Sequence, residues 1–99
     1  MKKIIILMPV YNDWESFQKL INKIDYTIKE IKDFKFDCIA VNDCSTMEKS
    51  KITKPNNLNS LKIINMKRNQ GHVRCNATGL RYIYQNETFD YVIVMDSDG

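Results

Sequence analysis

The sequence lacks a strong excess of charge of either sign. Its 15 lysine and arginine residues stand against 12 aspartate and glutamate residues, which leaves a net charge of +3 over 99 residues. The lysines are spread along the chain, with a loose cluster at residues 49–54. A protein that binds nucleic acid usually gathers more positive charge on one face. We therefore expect no nucleic acid among its partners.

The three cysteines lack the spacing of a metal or redox site. Cys38, Cys44 and Cys75 form no C-x-x-C pair, so neither a zinc site nor a reactive dithiol is supported. Cys38 falls in an apolar run, where a free thiol behaves as a small core residue. This pattern favours a reduced protein of the cytoplasm.

Long apolar runs are also absent. The run at residues 4–8 follows two lysines and superficially resembles a signal peptide, but it is too short and no small-residue cleavage site follows it. No run in the chain reaches the roughly 20 apolar residues of a membrane-spanning helix. We expect a buried strand at residues 4–8 and no membrane span in these residues.

The sequence does contain apolar runs that alternate with amphipathic segments. Strands are predicted at residues 4–8, 36–41, 61–66 and 91–95, because continuous apolar runs fit strands buried on both faces. This alternation predicts an α/β fold with a mostly parallel sheet covered by helices on both faces.

Two helices are predicted between these strands, at residues 13–32 and from Gln70-Gly71 to about residue 86, with one helical turn near residues 47–51. Asn12 and Glu15 have the spacing of a capping box at the start of the first helix. The inward side chains are predicted to be Phe17, Leu20, Ile21, Ile24, Ile28 and Ile31 in the first helix, and Val73, Ala77, Leu80 and Tyr84 in the second.

Polar side chains follow each predicted strand. In open parallel sheets ligands bind beyond the carboxyl ends of the strands, so these side chains form the candidate site. The residues concerned are Pro9, Tyr11, Asn12 and Asp13 after the first strand, Asn42 and Asp43 after the second, Arg68 and Asn69 after the third, and Asp96 and Asp98 after the fourth.

Asp96 and Asp98 are two residues apart, and both can turn toward one pocket. Hard cations prefer carboxylate oxygens and often also bind substrate phosphates, so a divalent metal held here could neutralise a diphosphate leaving group. A polar loop after a buried strand is the alternative. Asp43 could accept a hydrogen bond from a nucleoside or could cap a helix. Tyr11 could stack on a base or be a partly buried loop aromatic. No G-x-G-x-x-G follows the first strand, which argues against a dinucleotide cofactor.

Four segments in order resemble the motifs of family-2 glycosyltransferases. They are MPVYN at residues 8–12, VNDCST at residues 41–46, RNQGH at residues 68–72 and VMDSDG at residues 94–99, which contains a D-x-D motif. Cys44 replaces the glycine that the family usually has in the second segment. The Gly-His pair and the last segment resemble the dolichyl- or polyprenyl-phosphate branch. The resemblance implies a Rossmann-like GT-A fold and an inverting, metal-dependent transfer of a sugar from a UDP- or GDP-linked donor.

The resemblance also implies roles for individual residues. Pro9 and Tyr11 would line the base pocket, Asp43 would hydrogen-bond the base, and Asp96 would lie at the ribose or the metal. Asp98 would ligate Mn²⁺ or Mg²⁺ at the diphosphate. Asn12, Arg68 and Asn69 complete the predicted nucleotide-binding set.

The sequence ends directly after an apolar strand, which would leave an edge of the sheet uncovered. We therefore expect residues 1–99 to be the nucleotide-sugar-binding half of a GT-A domain, truncated at the D-x-D motif. The family's acceptor-activating base is expected beyond Gly99, and this half is expected to be inactive alone. A lipid phosphate is the acceptor that the narrower resemblance suggests, which would place the full-length protein at the cytoplasmic face of a membrane.

Three other functions fit parts of the sequence. A phosphatase of the haloacid-dehalogenase type would use Asp96 as the nucleophile and Asp98 as the acid and base, with Mg²⁺, but that motif normally opens its domain. A nucleotide-binding pseudo-enzyme is the second alternative. A nucleotidyltransferase is the third, and no glycine-rich loop that could cradle a triphosphate follows the first strand.

Overall fold

A four-stranded sheet and two helices make up the chain in the computed structural model, which describes residues 1–46 and 51–96. Helix α1 (Trp14–Ile28) connects β1 (Lys2–Val10) to β2 (Phe34–Asn42), and helix α2 (His72–Asn86) connects β3 (Ser60–Asn65) to β4 (Tyr91–Val94). Every strand pairing is parallel, and the strand order is β3-β2-β1-β4. The predicted α/β fold with a parallel sheet is confirmed.

The two helices cover opposite faces of the sheet. Alternate residues of β1 point to opposite faces, as the period of two in a strand requires. Ile6, Met8 and Val10 pack with α1, whereas Ile5 and Leu7 pack with α2. The sheet therefore lies between two apolar layers.

Helix α1 presents the predicted face but is shorter than predicted. Phe17, Ile21 and Ile28 are buried, and Leu20 and Ile24 pack partly against the same cluster. Ile31 is 41% exposed because the helix ends at Ile28. The predicted capping box is wrong: Asp13 is the N-cap, and its side chain makes no capping hydrogen bond.

Helix α2 packs with a different face from the predicted one. Val73 and Tyr84 are each 83% exposed, and Ala77 and Leu80 are exposed as well. Cys75, Gly79 and Ile83 face the sheet instead. A Cβ added at Gly79 would lie 2.5 Å from Leu7 Cδ1, so α2 lies too close to the sheet for a larger residue. Small side chains at 75 and 79 permit this distance.

The outer strands are less buried than predicted. In β1 and β2 six of the nine residues are buried in each strand, whereas β3 and β4 contain only partly buried or exposed residues. They lie at the two edges of the sheet among the described strands, which leaves one side of each without a strand neighbour. The predicted helical turn near residues 47–51 falls mainly outside the described residues.

Candidate active site at the carboxyl edge of the sheet

The strand order locates the candidate site between two strands. From β1 the chain runs outward through β2 to β3, and β4 then pairs on the other side of β1. The order therefore reverses between β1 and β4. Ligands of open α/β sheets bind at such a reversal, in the crevice beyond the carboxyl ends of the two strands. Here that crevice lies between the segment after Val10 and the segment after Val94.

The end of β1 and the segment after it contain three of the predicted residues. Pro9 is buried within the strand, one residue before its end. Tyr11 is 40% exposed and is the first residue beyond the strand. Asn12 has a φ of 59°, in the left-handed region that asparagine tolerates better than most residues. The sharp change of direction at Asn12 separates the strand from α1.

Hydrogen bonds tie the segment after β1 to the segment after β2. The Asn12 backbone N–H donates to Ser45 Oγ at 2.9 Å, and Asn12 Nδ2 donates to Thr46 Oγ1 at 3.0 Å. Ser45 in turn donates its backbone N–H to Asn42 Oδ1 at 3.0 Å. The backbone and the side chain of Asn12 thus connect the two loops. The sequence does not single out Ser45, because its partner Asn12 lies in the loop after a different strand.

Asp43 is buried directly beyond β2, with 1% of its surface exposed. Its Oδ1 accepts the Gln70 N–H at 2.7 Å, and its Oδ2 accepts the Gly71 N–H at 2.9 Å. Burial, together with a hydrogen bond and charge interaction with Asp43, raises the pKa of the Cys75 thiol to about 12. The carboxylate thus accepts the two backbone N–H groups that directly precede α2, whereas the sequence offered it as a cap for a helix that begins at Asp43 itself. A contact between Asp43 and a base stays a prediction.

Cys44 adopts a backbone conformation that favours glycine. Its φ is 55°, which costs an L-residue about 1 kcal/mol relative to glycine. We expect Cys44→Gly to stabilise the chain by up to about 1 kcal/mol, since the greater freedom of glycine in the unfolded chain offsets part of the gain. Urea unfolding of the wild type and of the variant would measure this difference in stability.

Cys44→Ala is the matched control, because it removes the thiol and its 3.6 Å contact with the Lys67 carbonyl oxygen but keeps the side-chain strain. An alanine variant as stable as the glycine variant would contradict the explanation from backbone strain.

The segment after β3 supplies a cation and an amide. Arg68 and Asn69 are both exposed. Asn69 Nδ2 donates to the Asp43 carbonyl oxygen at 3.3 Å, which holds this segment beside the end of β2. Gly71 follows with a φ of 87° and is the N-cap of α2. The exposed guanidinium of Arg68 is suited to a phosphate ligand.

Asp96 lies two residues beyond β4, on the other side of the crevice. Its side chain is 65% exposed, and its Oδ1 is 3.4 Å from His72 Nδ1 at the start of α2. Asp98 lies outside the described residues. Within residues 1–46 and 51–96, no group of three metal-ligating side chains is found. A lone histidine near a helix start carries little weight in a sequence, and the contact of His72 with Asp96 depends on the packing of α2.

A cavity of about 390 Å³, lined by Phe34, Lys54 and Leu58 among others, lies at the opposite edge of the sheet and contains none of the predicted site residues. In the part of the chain that the structure describes, no helix is both long and apolar enough to span a membrane.

Comparison with known proteins identifies the family to which the chain belongs. No curated protein matches the chain. The profile of the family described as Glycosyl transferase family 2 matches residues 5–99. That match covers all four strands except the first residues of β1, and it includes every segment at the carboxyl edge. The parallel sheet and the two flanking helices are those of a partial GT-A fold of the Rossmann-like type. The chain belongs to glycosyltransferase family 2.

Proposed function

We propose that the crevice between β1 and β4 binds the UDP- or GDP-linked sugar donor of an inverting glycosyl transfer. Membership of the family implies a nucleotide-sugar donor. The observation that supports this location is the reversal of strand order between β1 and β4, the two strands that Tyr11 and Asp96 follow. Residues 1–99 would then be the donor half of a GT-A domain.

The nucleotide would contact side chains from three strand ends. The exposed ring of Tyr11 offers a face on which a base can stack, beside the buried Pro9. Asn12 and Asn69 supply amides, although the Asn12 amide already donates to Thr46. Arg68 would pair with a phosphate of the donor, because a guanidinium can make two parallel hydrogen bonds to it.

Asp96 and Asp98 would hold Mn²⁺ or Mg²⁺. The Asp96 carboxylate fits this role, since it is exposed and hard cations prefer carboxylate oxygens. A magnesium site often uses one or two carboxylates and completes its coordination with substrate phosphates and water, so a third protein ligand is not needed. When bound, the cation would supply charge neutralisation for the departing nucleoside diphosphate.

The acceptor and the localisation follow from the narrower resemblance. A lipid phosphate such as a polyprenyl phosphate is the proposed acceptor, which places the reaction at the cytoplasmic face of a membrane. Hexosyl transfer is the proposed class. None of the described residues is assigned as the acceptor-activating base.

Thermal unfolding of the chain with UDP, GDP or CDP, each with and without Mn²⁺, tests the proposal. One nucleoside diphosphate at about 100 times its Kd should stabilise the chain by about 2.7 kcal/mol, a rise in Tm of about 10 °C or more. Asp96→Asn and Asp98→Asn should each remove the part of the rise that depends on Mn²⁺. Asp33→Asn, an exposed aspartate at the opposite edge of the sheet, should keep it.

A chain that responds to no nucleoside diphosphate would contradict the donor site. A response to Mg²⁺ with phosphate mimics, with no dependence on the nucleoside, would favour the phosphatase alternative instead.

A further inference from the structure

Two hydrogen bonds from the loop after β2 hold the backbone of Tyr11 on both sides. Before it, the Val10 carbonyl oxygen accepts the backbone N–H of Asp43 at 2.8 Å. After it, the Asn12 backbone N–H donates to Ser45 Oγ at 2.9 Å. These two groups belong to the peptide units on either side of Tyr11, and each peptide unit is planar. The two bonds therefore restrict both soft dihedral angles of Tyr11.

The hydroxyl of Ser45 is itself held by a side chain at the end of β2. It donates to Asn42 Oδ1 at 2.5 Å, and the same oxygen accepts the Ser45 backbone N–H at 3.0 Å. Asn42 Nδ2 donates to Asn65 Oδ1 at 3.0 Å, at the end of β3. An aspartate at position 42 could accept from Ser45 but could not donate to Asn65. Because the proton of the Ser45 hydroxyl is directed to Asn42, its oxygen is left to accept the Asn12 N–H.

We propose that Ser45 is a positioning residue of the donor site, which holds the backbone of Tyr11 so that the ring meets the base of the nucleotide. This inference rests on the proposed function, in which Tyr11 stacks on the base. Tyr11 is 40% exposed, and the rotamers open to its side chain depend on its backbone dihedral angles. A ring that is already oriented in the free protein loses less conformational entropy when the nucleotide binds.

The left-handed turn at Asn12 adds a second reason for this role. Its φ of 59° lies in a sparsely populated region, and such a conformation persists where the surrounding structure maintains it. Two contacts maintain it here, the backbone bond to Ser45 and the side-chain bond to Thr46 Oγ1 at 3.0 Å. Ser45 is half-buried and Thr46 is exposed, so water competes less with the bond to Ser45. The Ser45 hydroxyl is therefore the group whose loss should most disturb this turn.

The test compares the affinity of the chain for UDP, GDP and CDP with its affinity for inorganic pyrophosphate, which has the two phosphates but no base. Titration calorimetry with Mn²⁺ present measures each. Ser45→Ala should weaken binding of the preferred nucleoside diphosphate about fivefold, because the ring must then be ordered during binding, and it should leave pyrophosphate binding unchanged. Tyr11→Ala should weaken nucleotide binding about tenfold or more, since it removes the stacking surface. The double variant should be no weaker than Tyr11→Ala, because Ser45 acts through that residue.

Ser60→Ala is the matched control. Ser60 is also half-buried and makes a hydrogen bond to Asp37, but it begins β3 and so lies at the amino edge of the sheet. The substitution removes the same hydroxyl from a residue of similar burial. It should leave the affinities for the nucleotide and for pyrophosphate unchanged, which separates the positioning of Tyr11 from a general effect of losing a hydroxyl.

A Ser45→Ala variant that binds the nucleotide as tightly as the wild type would overturn the inference. So would an equal loss of nucleotide and pyrophosphate binding, or a double variant weaker than Tyr11→Ala. If Ser45→Ala does not fold, Asn42→Ala decides, because it removes the acceptor that directs the Ser45 hydroxyl: an unchanged nucleotide affinity would then refute the role of Ser45. Wild-type chain that binds no nucleoside diphosphate more tightly than pyrophosphate refutes the base contact of the proposed function itself, before any variant is compared.

Discussion

Gly79→Val should destabilise the chain by about 3 kcal/mol, which is the upper part of the range for overpacked cores. A Cβ at this position would lie 2.5 Å from Leu7 Cδ1 and 3.1 Å from Val41 Cγ2. Leu7 and Val41 are fully buried in the two central strands, so neither can move into solvent. Either the Leu7 side chain would be forced out of its present conformation or helix α2 would move away from the sheet. Urea unfolding followed by circular dichroism would measure the loss.

Ala77→Val is the control on the same helix. Residue 77 is exposed, so the substitution adds atoms without a clash and changes only the helix propensity, by about 0.6 kcal/mol. A Gly79→Val variant whose stability lies within that margin of the wild type would show that α2 does not pack this closely. Because α2 also carries His72, the same variant should weaken the contact between His72 and Asp96.

Helix α2 packs on the sheet through a different face from the one predicted, and this difference shows which information a hydrophobic pattern lacks. The pattern of large apolar residues in α2 pointed to Val73, Leu80 and Tyr84, and it identified the helix correctly. Which face meets the sheet depends on the distance between helix and sheet, and that distance is set by β1 and β2. A pattern of side-chain size, with Cys75 and Gly79 four residues apart, would have indicated the close face. Hydrophobicity alone does not contain this information.

The position of the candidate residues along the sheet was more predictable than the contacts that they make. The rule that ligands bind beyond the carboxyl ends of parallel strands was enough to select Tyr11, Asp43 and Asp96 from the sequence. The structure adds the reversal of strand order between β1 and β4, which identifies one candidate crevice along that edge. Local spacing gave Asn12 the role of a helix cap, whereas its side chain bonds to Thr46, 34 residues away. Such long-range partners depend on strand order, which local sequence does not specify.

A network of charges at the amino edge of the sheet joins three strands and the end of α2. Lys3 Nζ in β1 lies 2.9 Å from Asp37 Oδ2 in β2 and 3.4 Å from Glu87 Oε1 at the end of α2. Lys62 Nζ in β3 lies 2.9 Å from Glu87 Oε2. Asn59 Nδ2 donates to the other oxygen of Asp37 at 2.7 Å. The network lies at the edge of the sheet opposite the candidate site.

This network lowers the pKa values of its carboxyl groups. Burial acts to raise the pKa of Asp37, but hydrogen bonds from Lys3, Asn59 and Ser60 outweigh it, so the pKa lies below its usual value. The hydrogen bond from Lys62 is the main reason that the pKa of Glu87 is lowered. The hydrogen bond to Asp37 is the main reason that the pKa of Lys3 is raised.

We expect Asp37→Ala to cost about 3 kcal/mol at pH 7, because it leaves the largely covered ammonium of Lys3 without its nearest partner. The wild type should lose stability in acid. A carboxyl group with a lowered pKa in the folded state stabilises the fold above its unfolded pKa, and this contribution disappears as the pH falls through the folded pKa. For the lysines the sign is opposite, so their contribution is lost as the pH rises beyond about 10.5.

Urea unfolding at a series of pH values from about 7 down to about 3 would test this, because the unfolded carboxyl pKa values lie near 4. The free energy of unfolding of the wild type should be nearly constant near pH 7 and should fall below about pH 4.5. Lys3→Met should flatten this decline, because it removes a partner of both carboxylates while it keeps much of the apolar stem. Lys19→Met is the control, since Lys19 forms an exposed pair with Glu15 on α1 that contributes little. An acid decline that is equally steep in wild type and Lys3→Met would mean that other carboxylates control acid unfolding.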